Sequence, residues 1–154
     1  GAGAWAVVAG TFVYMEWRWE PEEVSRFSIN VLETIIKDVA AQRFTAYARE
    51  HGLAATHSLV FTDNSTAEHV AERSRATTEA LNALNRRRQE WLVSAGVSQR
   101  TERVASIDND VADLLSRGKL QEALRFPRCD QLPVLRLEPT GHDRDTSSVA
   151  ATWQ

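Results

Sequence analysis

Three acidic residues stand where their side chains could share one task. Glu33 lies four residues after Ile29 and three before Ile36. On a helix that spacing turns it toward the rest of the protein rather than to open solvent. Asp63 ends the apolar run Leu59-Val60-Phe61, and Asp113 sits between Val111 and Leu114. Carboxylate oxygens suit hard divalent cations, and Mg²⁺ takes a few of them, completing its shell with water and phosphate. Two such ions about 4 Å apart can activate a water and stabilise the leaving oxygen of a phosphodiester. Carboxylates gathered without a cation repel one another and hold their protons, so three that converge imply a metal. Each residue alone has a plainer explanation. A single glutamate on a helix is ordinarily exposed and inert, and Asp63-Asn64 after a strand reads as a turn or a helix cap. Asp113 follows Asp108-Asn109-Asp110, which is ordinary cap chemistry.

The elements that must position these residues can be read from periodicity. Residues 4–9 form a short apolar run, and residues 12–19 alternate, with Val13, Met15, Trp17 and Trp19 on one side. A period of two with aromatic and β-branched residues predicts strands, joined as a hairpin through Gly10-Thr11. Residues 20–23 read as a loop broken by Pro21. Ser28 is a candidate N-cap, and Ile29, Leu32, Ile36, Val39 and Ala40 predict an amphipathic helix running to about residue 50. Leu59-Val60-Phe61, apolar throughout, predicts a central strand covered by helices on both faces. A helix starting at Ser65 or Thr66 should follow. Another over 77–95 carries Leu81, Leu84, Trp91 and Leu92, and Gly96 stops it. Residues 99–106 read as a weaker strand and 110–116 as a short helix. Beyond Gly118 the pattern fades, with helical character over 120–126 and then a polar tail punctuated by Pro127, Pro133 and Pro139. The order predicts an α/β layered fold with mixed strand pairing.

Composition sets outer limits. The chain has 154 residues, enough for one domain with a real core. A net charge of −3 gives no whole-chain signal for nucleic acid. The single cysteine excludes a disulfide framework, disfavours a cysteine-based zinc site and suits a reducing, intracellular setting. No apolar run approaches the roughly 18 residues of a membrane span. Charge is uneven, however: residues 73–103 hold seven arginines against three acids. Arg86-Arg87-Arg88 could lie along a phosphate backbone, since the arginine fork matches phosphate oxygens. A solvated helix face explains the run equally well.

Three segments together resemble the ribonuclease H domains of retroelement reverse transcriptases, with DIRS-like elements closest in flavour. They are Ile29-Asn30-Val31-Leu32-Glu33, Phe61-Thr62-Asp63-Asn64 and the run from Asn109 to Arg117. In that family a glutamate lies on the first helix after the hairpin. A second acid ends a strand in a Thr-Asp-Asn turn, and the last lies in an Asn-x-x-Ala-Asp-x-Leu-Ser-Arg run. Separations of 30 and 50 residues between the three acids agree with the layout. The resemblance covers residues 1–118, leaving 119–154 as a partly helical, then disordered extension.

The resemblance implies a ribonuclease H-like mixed sheet flanked by helices. It also implies hydrolysis of the RNA strand of RNA–DNA hybrids by two Mg²⁺ or Mn²⁺ ions held on Glu33, Asp63 and Asp113, with no small-molecule cofactor. The partners implied are the hybrid and an adjacent reverse transcriptase domain. Asn30 and Asn64 become candidates for minor-groove or 2′-hydroxyl contacts. Two features depart from the pattern. The family's first aspartate and the central strand bearing it have no counterpart here, so weak stability and little or no cleavage are expected. The mobile histidine of many relatives is also missing from residues 100–109. Trp5, Trp17 and Trp19 read as hairpin packing rather than base stacking. The rival reading is a degenerate ribonuclease H-like module that holds hybrid, or positions neighbouring domains, without chemistry.

Overall fold

In the computed structural model the described residues are 1–62, 75–104, 109–125 and 131–139. Strands β1 (Ala2–Val8) and β2 (Thr11–Trp17) pair antiparallel, with Val8 opposite Thr11. Only Ala9 and Gly10 remain for the turn, at φ of 50° and 76°. Two successive positive φ angles are what a two-residue hairpin loop needs to match the strands' twist. The turn thus sits one residue earlier than the sequence suggests.

Residues 20–23 are not a loop. Helix α1 (Pro21–Arg26) opens with proline in its first turn, and the Glu20 backbone N–H donates to the Glu23 carboxylate at 3.0 Å. A proline at the first helical position costs no hydrogen bond, because that N–H has no helical partner anyway. Helix α2 (Ile29–Glu50) follows, with the Val31 N–H donating to the Ser28 hydroxyl. Strand β3 (His57–Thr62), helix α3 (Arg75–Ala95) and strand β4 (Ser98–Arg103) come next. Helices α4 (Asp110–Ser116) and α5 (Leu120–Arg125) and strand β5 (Val134–Arg136) complete the order. The helix expected from residue 65 or 66 lies outside the described residues.

The fold is mixed α/β, as expected, but its described strands form two sheets rather than one. The first is ordered β1-β2-β5, with β5 parallel to β2; the second is the parallel pair β3-β4. Alternation along the hairpin decides the layers. Ala2, Ala4, Met15 and Trp17 face one side, where they pack with Val31, Leu32 and Ile35 of α2 and with Ala80 and Leu84 of α3. Phe12 and Tyr14 face the other, against Val111, Leu115, Ala123 and Leu124 of α4 and α5. Ala6, Val8 and Val13 meet Ala48 and Phe44 at the far end of α2.

Two features of the pattern come out differently. Strand β3 is not covered on both faces: Leu59 and Phe61 are each more than half exposed. The segment after Gly118 is not a separate appendage over its described part. Ala123 and Leu124 are buried in the same cluster as Leu115, and β5 extends the first sheet. The Phe12 N–H donates to Pro133 at 2.8 Å, and the Leu137 N–H donates to Tyr14 at 2.9 Å. A strand of three residues, all of them exposed, is too short to show a period and gives sequence reading little to hold.

Gly3 explains how closely α4 approaches β1. A Cβ placed there would lie 2.6 Å from the Leu115 Cβ and 2.7 Å from the Ala112 carbonyl oxygen. Both neighbours belong to a packed helix that cannot yield by rotating a side chain. Gly3→Val is expected to lower unfolding free energy by about 1–3 kcal/mol through overpacking. Urea denaturation checks this; a Gly3→Val variant as stable as the parent would show that the contact is not as close as described.

Candidate functional site

Helix α2 carries Glu33 as a half-buried side chain just beyond its first turn. Helix α4 carries Asp113 in its first turn, exposed to solvent. The two helices lie on opposite faces of the β1-β2-β5 sheet, and both pack on the Ala2–Ala4 end of β1. Among the described strands, β1 is one of the two edge strands of that sheet. Groups carried on opposite faces of a sheet can approach one another only around such an edge. Asp63 and Asn64, expected to complete the cluster and its contacts, lie outside the described residues.

Asp113 has a partner of its own. Arg117, one turn later, places Nη2 3.3 Å from Oδ2, and both side chains are more than half exposed. An exposed pair at this spacing contributes about 0.3–0.5 kcal/mol, which a stronger ligand could readily displace. The Ser116 hydroxyl donates to the Asp113 carbonyl and fixes the last turn of the helix.

The donor chemistry of Glu33 and Asp113 suits a hard cation. Among the described residues, however, no three His, Cys, Asp or Glu side chains gather to hold one. These residues do not by themselves complete a metal site, and no chemical step is assigned through one.

Asn30 is placed differently from a substrate contact. It is 4% exposed, and its backbone carbonyl accepts a hydrogen bond from the Thr34 hydroxyl at 2.8 Å. Its Nδ2 is buried without a hydrogen-bond acceptor among the described residues. A donor in that state costs about 1–3 kcal/mol, and it presents no surface to a nucleic acid.

The arginine run divides by role. Arg86 is exposed and Arg87 half-buried. Arg88 turns inward: Nη1 lies 3.1 Å and 3.2 Å from the two oxygens of Asp38, while Nη2 donates to the Asn85 side chain at 2.8 Å. Asp38 is 8% exposed on the α2 face that packs on α3. Sequence reading missed this pair. The signal available was Asp38 itself, a charge one residue before the core-facing Val39, but its partner is fifty positions away.

Burial pushes the Asp38 carboxyl above its ordinary range, and Arg88 and Lys37 pull it part of the way back. Burial likewise lowers the Lys37 ammonium, with Asp38 opposing. Arg49 makes a second tie between the same helices, donating from Nη2 to the Ala95 carbonyl at 2.6 Å and to Ala55 at 3.2 Å.

No family model, curated protein or solved structure matches this chain. Among the described residues no helix is long and apolar enough to cross a membrane.

Two expectations follow from the Asp38–Arg88 pair. Arg88→Ala strands a buried carboxylate and should destabilise the fold by about 3 kcal/mol, whereas Arg86→Ala should change stability by less than about 0.5 kcal/mol. Equal losses in a urea titration would contradict the inward placement of Arg88. The second concerns pH. A raised carboxyl binds its proton more tightly folded than unfolded, so its contribution to stability is full at low pH. That contribution is lost as pH rises from the ordinary value of 3.8 through the raised one. Asp38→Asn should flatten the stability profile over that window; an unchanged profile would show that Asp38 titrates normally.

Proposed function

We propose that this chain is a ribonuclease H-like domain of a retroelement polyprotein, built to act on the RNA strand of RNA–DNA hybrids. The observation that carries the reading is the placement of Glu33 and Asp113. Both helices pack against the Ala2–Ala4 stretch of β1, and they carry the two acids in the order and on the kind of element that the resemblance implies. The antiparallel hairpin, followed by a parallel strand pair spaced by a helix, is compatible with the same architecture. In this reading Glu33, Asp63 and Asp113 would hold Mg²⁺ or Mn²⁺. When bound, such ions supply an activated water and charge stabilisation at the scissile phosphate. Exposed Arg86, with Arg87 beside it, would follow the phosphate backbone, leaving Arg88 to the helix interface. The adjacent reverse transcriptase domain is the proposed covalent neighbour.

One observation favours a second reading, in which the domain holds hybrid without cutting it. Asp113 is already matched by Arg117, and its helix lies across the sheet from Glu33. A carboxylate in that arrangement serves helix stability without any cation.

The test is binding and cleavage of a labelled RNA–DNA hybrid, with a DNA duplex of the same sequence alongside, in Mg²⁺ or Mn²⁺. The expected result is hybrid-preferring binding that weakens steeply with salt, because each neutralised phosphate releases counterions. Arg86→Ala should weaken that binding several-fold without loss of fold. Any cleavage should disappear in Glu33→Gln and Asp113→Asn, which assigns the enzyme reading; binding without cleavage assigns the holding one. No preference for hybrid over duplex DNA would overturn both.

A further inference from the structure

We draw no further inference here: the strongest candidate, the solvent-facing pair Leu59 and Phe61 on β3 beside Arg100 of β4, is an apolar sheet face, and nothing in the structure shows what covers it, Arg100 being already paired with Glu102.

Discussion

Strand β2 buries side chains on both of its faces, and the positions of the other elements follow from that demand. Phe12, Val13, Met15 and Trp17 are all between 0% and 1% exposed. An apolar strand of seven residues cannot be sheltered by a partner strand alone. It needs a helix layer above and another below. Helix α2 supplies the first and α4 with α5 the second. The bare backbone of Gly3 lets the second layer come close to the hairpin. Where Glu33 and Asp113 stand depends on this sandwich, since their helices are fixed by the core.

Polar groups inside the sandwich show where burial has been accommodated at some cost. Asp38 is a buried carboxyl held by the Arg88 guanidinium, and the burial that raises it offsets much of what the pair contributes to net stability. Tyr14 sits under the same constraint on the other side, its hydroxyl pushed up by burial and by nearby Glu16. Arg136 of β5 reaches Glu16 at 3.5 Å, so the added strand also brings a counter-charge to that face. The parallel pair β3-β4 is the less sheltered half of the fold. Two parallel strands with an exposed apolar face form an unusually small unit, because parallel sheets normally lie between helix layers.

The sequence made the hairpin legible through its period of two in aromatic and β-branched residues, and α2, α3 and α4 through apolar positions recurring at helical spacing. It placed Glu33 and Asp113 on their helices for the same reason. Helix α1 was hidden because Pro21 reads as a breaker unless the reciprocal Glu20 and Glu23 are weighed with it. Strand β5 was hidden because three residues carry no period. The depth of β3 was misjudged because an apolar run states what could be buried, not what covers it. Asp38–Arg88 joins residues fifty positions apart, beyond any local rule. The proposed carboxylate cluster is the case where local pattern and three-dimensional placement must both be right, and only two of its three members lie among the described residues.

The direct measurement is a Mn²⁺ titration of the isotope-labelled chain followed by amide and side-chain NMR. Paramagnetic broadening falls off so steeply with distance that it reports only groups near the ion. The account predicts selective, saturable broadening centred on residues 33, 63 and 113 together, abolished by Asp113→Asn and reversed by chelation. Broadening confined to one of these positions, or scattered over surface acids with no saturation, would show that the three carboxylates do not form a common site and would remove the basis for a nuclease assignment.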